Sequence, residues 1–337
     1  MNQAPDDQRE SWLGRLDAWV EESPWHPRVL PFFVYIFGLL IIGLGSTVES
    51  WGAGIGVVAA VGRGWQSAPV QLVLYAAQCG LVCWLLWRYR RLTPELTIRF
   101  HWLAIPTGVF LLVAWVGLGW LMTGEFSERW SGLMAGEPVG AIDYGIDGAE
   151  PNAFATVEEH DLRKQVHSDG LEGQFGAALL FFRLLGMSLV VPLFEELFIR
   201  SAMVRGLQHR RETLRGIGQV LCDFPVVGDA LMNTKFGREV SREDPILTRQ
   251  LVATPVGAMT LWAVFASTLV FSLSHLLRDW PGCIACGIVW CWLVWYTNRP
   301  SLAEDRRMGI GPIAWSHGIT NALLWGYTVW TDDWQFL

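Results

Sequence analysis

Seven runs of apolar residues set the strongest constraint on what this chain can fold into. A helix crosses a hydrocarbon core of about 30 Å with about 20 residues, and the runs reach or approach that length. They cover residues 29–45, 70–87, 102–122, 175–200, 256–277, 281–296 and 310–330. An eighth run, 51–61, is shorter and rich in glycine, which suits a re-entrant or interfacial piece, or the continuation of the first helix. The runs predict an all-α fold, a polytopic transmembrane helix bundle with about seven or eight spans.

The composition excludes an ordinary soluble domain. Apolar residues make up 52% of the 337 residues and charged residues only 17%, with 20 tryptophans. Soluble domains carry about 25% charged residues. We therefore expect a multi-pass protein of the cell membrane, the inner membrane of a bacterium, with the lipid bilayer as a partner and no nucleic-acid partner.

The positive residues predict the orientation. If seven spans alternate from a cytoplasmic N-terminus, 18 of the 25 Lys and Arg residues lie in inside segments and five in outside segments. Lysine and arginine are enriched in cytoplasmic segments of membrane proteins. The sequence therefore predicts an N-terminus inside and a C-terminus outside.

The spans and the loops between them divide the chain into five parts. We predict a cytoplasmic tail (1–28), N-terminal transmembrane helices (29–122), an acidic external loop (123–174), a second transmembrane core (175–330) and a short C-terminal tail (331–337). Residues 9–22 of the tail form either a helix on the membrane surface or a solvated segment. The inside loop 201–255 is basic, and its semi-apolar stretch 216–232 suits a position along the inner leaflet.

Two further groups of residues raise the question of a metal site. Cys283 and Cys286, with Cys79 and Cys83 one helical turn apart, have the number of thiols of a zinc site, but cysteine is also a common small residue in apolar helices. His160 and His167 lie in the acidic loop, where no spacing puts three ligands on one face. We favour the structural interpretation for the cysteines and a solvated loop for the histidines.

The fourth run ends in two adjacent carboxylates among large apolar residues. Ionisable groups at membrane depth cost about 2.5–3.5 kcal/mol each by insertion scales, so they indicate function. Glu196 and Arg200 are four residues apart and share one helix face, which predicts an ion pair. Glu195 points about 100° away, without a cation of its own in this helix. Because desolvation makes an unpaired carboxylate a stronger base, we expect Glu195 to be a general base, and Pro192 to kink the helix just before it.

The fifth and seventh runs carry further polar groups at helical spacing. Phe271 and His275 are four apart in one run, and His317 and Asn321 are four apart in the other. A single histidine in such a run is more often a hydrogen-bonded core residue than a catalytic one. Since three separate spans supply these groups, we predict that they converge on one site.

The order Glu-Glu-x-x-x-Arg, Phe-x-x-x-His and His-x-x-x-Asn resembles the CAAX prenyl protease and bacteriocin-processing (CPBP, or Abi) family of glutamic-type intramembrane endopeptidases. The resemblance covers about residues 175–330. It implies that this part is the catalytic core of an enzyme that cleaves a protein or peptide substrate in or near the membrane, without a cofactor. It also implies roles by motif: Glu195 activates water with the help of His275, His317 and Asn321 stabilise the oxyanion, and Glu196 with Arg200 holds the site together.

Two alternatives remain open at this point. The same glutamates, histidines and asparagine have the chemistry of a zinc-dependent membrane protease. A non-catalytic membrane protein, such as a bacteriocin-immunity factor or a transporter-like scaffold, is the third possibility, although its polar residues would tend to spread along a path. Strict alternation of the spans also places His275 near the outer end of its span and Glu195 in the inner half of its own, which conflicts with one shared site.

Overall fold

The computed structural model describes residues 11–51, 65, 67–123 and 170–331, and within them the chain is helical without a β-strand. The N-terminal part contains α1 (Trp12–Glu22), α2 (His26–Trp51), α3 (Ala68–Arg88) and α4 (Ala104–Thr123). A long helix follows, built from α5 (Gly170–Leu185), a first π-helical segment (Gly186–Val190), α6 (Val191–Glu196), a second π-helical segment (Leu197–Met203) and α7 (Val204–Gly206). The remaining α-helices are α8 (Arg210–Cys222), α9 (Val227–Met232), α10 (Lys235–Val240), α11 (Ile246–Ala253), α12 (Leu261–Leu273), α13 (Trp280–Asn298) and α14 (Gly311–Thr331).

Five helices of the described part are long and apolar enough to cross a membrane, so the protein is a multi-pass membrane protein. They are His26–Leu44, Ala68–Arg88, Ala104–Met122, Gly173–Gly206 and Leu277–Asn298. The predicted count of seven or eight spans is not confirmed. The run 256–277 forms only the 13-residue helix α12, and α14 forms at full length but does not meet the same criterion of length and hydropathy. The first helix continues to Trp51, while residues 52–61 of the eighth run lie outside the described residues.

The start of α12 explains why the fifth run is shorter than predicted. Gly257 has a φ of 88°, which is not a right-handed helical conformation, so the first residues of the run stay outside the helix. The Thr260 hydroxyl accepts a hydrogen bond from the Ala263 N–H at 3.1 Å and caps the helix there. A hydroxyl cap of this kind satisfies a backbone donor that the first turn leaves unpaired.

Several helix ends meet in one buried polar cluster at one side of the bundle. Arg28, at the start of α2, donates to Glu95 at 2.7 and 3.1 Å, and Ser201 and Arg205 also contact that carboxylate. Burial alone would raise the pKa of Glu95, but the hydrogen bonds from Arg28 and Ser201 hold it below its usual value. A buried charge must be paired in this way to be tolerated. The cluster therefore joins α2, the α3–α4 connection and the long helix at the same end.

The structure describes some of the segments predicted as loops and tails. The predicted loop 201–255 is not an extended loop: residues 201–206 end the long helix, and the remainder forms a compact group of short helices, α8 to α11. Of the two alternatives left open for residues 9–22, the structure has a helix, α1, whose Asp17 pairs with Arg88 of α3 at 2.5 Å. Most of the acidic loop, 124–169, lies outside the described residues, including His160 and His167. The five-part division of the chain stays a prediction.

Candidate active site

The long helix presents its carboxylates between two widened turns. The Val191 N–H bonds to the Gly186 carbonyl and the Val204 N–H to the Ile199 carbonyl, each five residues back instead of four. Such π-helical turns are rare and concentrate at functional sites. Pro192 follows the first of them, where its missing N–H removes one bond from the helical ladder. The predicted interruption before Glu195 is thus present, with a π-helical turn beside the proline.

Glu196 and Arg200 form the predicted ion pair, and His317 joins it. The Arg200 Nε and Glu196 Oε2 atoms are 3.4 Å apart, with side-chain exposures of 1% and 0%. The His317 Nδ1 atom lies 2.9 Å from Glu196 Oε1. Because α14 supplies the histidine and the long helix supplies both other groups, this contact brings two of the predicted motifs into one site.

Glu195 lies on the other side of the same imidazole. Its Oε2 atom is 3.8 Å from His317 Nε2, and its side chain is 15% exposed, in contrast to the fully buried Glu196. The distance exceeds a direct hydrogen bond but fits a bridge through one water molecule. His317 therefore has one glutamate at each ring nitrogen.

Aromatic rings enclose the Arg200 guanidinium. Its carbon lies 5.2 Å from the centre of the Phe271 ring and 5.4 Å from that of Trp290. Within the described part of the chain, its three nitrogens have no aligned hydrogen-bond partner. Since a desolvated cation gains about 2 kcal/mol from an aromatic face, the two rings offset part of the cost of burying this charge.

Trp290 and Ser316 are site residues that the sequence reasoning missed. The Trp290 ring stacks on the His317 imidazole at 4.3 Å, and its indole N–H donates to Ser316 Oγ at 3.1 Å. Ser316 Oγ is also 2.8 Å from Thr107 Oγ1 of α4. The chain has 20 tryptophans, and nothing in the sequence distinguishes this one. Ser316 could have been singled out from the sequence, because it is a polar residue directly before the candidate His317.

His275 lies in a turn, so its predicted position inside a transmembrane helix is wrong. Helix α12 ends at Leu273, and the Ser274 hydroxyl and the His275 Nδ1 atom both lie within hydrogen-bond distance of the Phe271 carbonyl, at 2.7 and 2.9 Å. Such local bonds from side chains compete with helix continuation. The ring contacts Phe271 and, at 5.7 Å, Trp115 of α4. The early helix end shortens α12 to 13 residues, a rise of about 20 Å, so strict alternation of full-length spans no longer fixes the depth of His275.

Asn321 ties α14 to the first π-helical segment. Its Nδ2 atom donates to the Met187 carbonyl at 2.8 Å. A side-chain amide carries two N–H groups, so this bond leaves the second one for another acceptor. Next to it, a Cβ added to Gly318 would overlap the Ser188 carbonyl. The absence of a side chain at Gly318 therefore permits the close approach of the two helices.

The six cysteines are free thiols, and Cys283, Cys286 and Cys291 are buried. Among the described residues, no group of three or more His, Cys, Asp or Glu side chains has the arrangement of a metal site. The two thiol pairs thus do not form the four-ligand cluster considered from the sequence.

Fold and site together define a class: an all-helical, multi-pass membrane protein with a buried carboxylate–imidazole–arginine cluster. Residues 245–323 match the family model described as Type II CAAX prenyl endopeptidase Rce1-like. This confirms the resemblance to the CAAX protease family and indicates a membrane endopeptidase acting on a peptide substrate at the membrane. The match covers under a quarter of the chain; it includes His275, His317 and Asn321, whereas Glu195, Glu196 and Arg200 precede it. No curated protein and no solved structure matches the chain.

Proposed function

We propose that this protein is an intramembrane glutamic-type endopeptidase, located in the inner membrane of a bacterium, that hydrolyses a peptide bond with water activated by Glu195. The observation that carries the proposal is the position of the His317 ring, with Glu196 at Nδ1 and Glu195 at Nε2. If His317 were only a hydrogen-bonded core residue, Glu196 would suffice as its partner. A second carboxylate, Glu195, would then carry the cost of an ionisable group inside a transmembrane helix without a function.

The distance between Glu195 and His317 suits a water nucleophile. A water about 2.8 Å from each of two atoms that lie 3.8 Å apart would contact both. Glu195 then accepts a proton from this water as its oxygen attacks the carbonyl carbon of the substrate. The water thus begins the reaction beside its base, which is the geometry that general-base catalysis requires.

The remaining groups act on the charge that develops. Attack turns the carbonyl oxygen into an oxyanion. In our proposal its donors are the second N–H of Asn321 and His317 Nε2, which donates when the ring carries a proton on both nitrogens, because Nδ1 donates to Glu196. When the carbon–nitrogen bond breaks, the leaving nitrogen takes the proton held by Glu195, which restores the carboxylate. The products are a carboxylic acid and an amine, and no covalent enzyme intermediate forms.

Two groups have supporting roles in this scheme. The ion pair with Arg200 keeps Glu196 charged, so that Glu196 accepts a hydrogen bond from His317 Nδ1 and orients the ring. His275 lies at the turn between α12 and α13 and is proposed to help position the water. Its Nδ1 atom lies 2.9 Å from the Phe271 carbonyl oxygen, so Nε2 is the ring nitrogen left for the water in this scheme.

Purified full-length protein, incubated with fluorogenic peptides, tests the proposal. One probe is a prenylated peptide with a CAAX terminus, and the other is a pool of unmodified single-span peptides. We expect cleavage by the wild type, no cleavage by Glu195→Gln, and unchanged cleavage in a strong chelator. Loss of activity in the chelator, restored by added zinc, would instead support the zinc-dependent alternative. An absence of cleavage of every probe by a folded wild type would contradict the proposal.

A further inference from the structure

The group of short helices α8 to α11 leaves a row of large apolar side chains about half exposed. Leu214, Ile217 and Leu221 of α8 are 53%, 44% and 38% exposed. At 100° per residue they fall within a stripe about 60° wide. Phe224 and Val226, in the turn after α8, extend the row with exposures of 55% and 79%. Contiguous exposed apolar surface of this kind marks an interaction site.

The fold of the group does not use this row. Helix α8 packs through its glycines instead, because a Cβ at Gly216 would overlap Leu247 of α11 and one at Gly218 would overlap Phe236 of α10. At 100° per residue, Gly218 lies about 40° from Leu214 on one side and Gly216 about 100° from Ile217 on the other, so α10 and α11 pack on the two flanks of the stripe. The apolar stripe remains outside that packing and needs a partner other than α10 or α11.

The position of α8 along the chain indicates the partner. A span ends at Gly206, and α8 begins four residues later, so its start lies within about 14 Å of the end of that span. The other end of the group returns to the apolar helix α12, whose first residue, Leu261, is 92% exposed on the outside of the bundle. An exposed leucine at the start of an apolar helix suits contact with lipid at that end of the helix.

Two contacts hold the start of α8 beside the first turn of α12. The indole N–H of Trp262, in the first turn of α12, donates to Thr213 Oγ1 at 3.3 Å, and the Arg210 guanidinium lies 5.8 Å from the centre of the same indole ring. Arg210 and Arg211 are both exposed at the start of α8. An apolar stripe flanked by arginine and an interfacial tryptophan is the pattern of a helix that lies in the plane of a bilayer surface.

The turn after α8 adds an independent observation. Val226 has a φ of 67° and a ψ of −55°, and the Val227 N–H bonds to the Pro225 carbonyl at 2.7 Å. This is the strained form of the γ-turn, which is rare and unfavourable for a β-branched residue. Within the described residues, it is the only non-glycine position with positive φ. The strained turn thus holds the Val226 side chain 79% exposed, away from the packing of the short helices.

We propose that α8 and the following turn form an in-plane anchor, with Leu214, Ile217, Leu221, Phe224 and Val226 inserted into the phospholipid headgroup region on the side of the membrane where the 201–255 group lies. The anchor holds the end of the long helix that carries the glutamates at a fixed depth. The inference does not depend on the proposed reaction, and its test needs no activity.

Nitroxide accessibility in the full-length protein, reconstituted in phospholipid nanodiscs, tests the anchor. The parent variant carries serine at the three cysteines that are not buried, Cys79, Cys83 and Cys222. Single labels are attached at Ile217→Cys and Leu221→Cys, with Leu214→Cys as a third position. The control is Lys235→Cys, because Lys235 has a side-chain exposure of 88% on the polar helix α10.

Collision with molecular oxygen reports lipid, and collision with a water-soluble nickel complex reports solvent. We expect oxygen to dominate at the three α8 positions and nickel to dominate at residue 235. Nickel dominance at residues 217 and 221 would show a solvated surface and overturn the proposal. Low accessibility to both probes would show a protein partner, such as a second copy of the chain, and would overturn it equally.

Discussion

The two adjacent glutamates occupy different environments, although they are identical as residues. Glu196 is fully buried between Arg200 and His317, whereas Glu195 retains some exposure and has only the far nitrogen of the histidine near it. The sequence predicted this division from the 100° between consecutive helical residues. The pairing of Glu196 with Arg200 is confirmed, while the catalytic role of Glu195 stays a prediction.

Substitution by glutamine separates the two roles. Glu195→Gln preserves volume and hydrogen bonding but cannot accept the proton, so it should abolish turnover with thermal stability near that of the wild type. Glu196→Gln leaves Arg200 buried without a carboxylate, which costs about 3–5 kcal/mol, and should lower stability as well as activity. Rates and thermal unfolding in detergent measure both effects. A folded, inactive Glu196→Gln beside an active Glu195→Gln would show that the roles are reversed.

Trp290 is predicted to be a positioning residue for His317 and Arg200. Trp290→Leu removes the stacked ring, the cation–π contact and the bond to Ser316, so we expect a loss of about 2–4 kcal/mol in stability. We also expect kcat to fall with little change in KM, because the imidazole loses its orientation while the substrate contacts remain. The matched control is Trp292→Leu, since Trp292 is 43% exposed and stacks on Tyr296 instead. Equal effects of the two substitutions on kcat would contradict a specific role for Trp290.

At the scale of elements, the sequence predicted the helices better than their interruptions. The apolar runs located the long helices because a helix in contact with lipid needs about 20 consecutive, mostly apolar residues. The end of α12 at Leu273 depends on bonds from Ser274 and His275 to one carbonyl, and both residues also occur inside helices. The π-helical turns have no sequence pattern of their own, since they arise from how Pro192 and the neighbouring helices share the remaining bonds. Trp290 escaped prediction for a similar reason: its role depends on which helices meet.

The contact between α14 and the first π-helical segment is predicted to be essential for the site. A methyl group in Gly318→Ala would overlap the Ser188 carbonyl and force α14 away, which also lengthens the Asn321 bond to Met187. Overpacking of this kind costs about 1–3 kcal/mol, and the displaced His317 should lower the cleavage rate further. Gly326→Ala, on the same helix, meets nothing within 4 Å and should leave both properties unchanged. Wild-type rates in Gly318→Ala would show that the site tolerates separation of the two helices.

At the scale of the whole molecule, contacts between distant connections fix which helix ends share a side. Arg99, in the α3–α4 connection, donates to the Arg307 carbonyl at 2.8 Å, and Thr97 donates to the Met308 carbonyl at 2.5 Å. Arg28 binds Glu95 of the same connection. The segments around residues 28, 95 and 307 therefore lie on one side of the membrane. The charge bias of the sequence predicts that this side is the cytoplasm.

Reporter proteins inserted into the full-length chain test the two parts of this argument separately. Reporters after Arg91 and after Arg307 should read the same compartment, because the contacts between residues 97–99 and 307–308 require it, and that compartment should be the cytoplasm. A reporter near Gly145, which lies outside the described residues, should read external. Opposite readings at Arg91 and Arg307 would contradict the fold itself. External readings at both would leave the fold intact and reverse only the orientation inferred from charge, whereas a cytoplasmic reading at Gly145 would require a different number of crossings before the long helix.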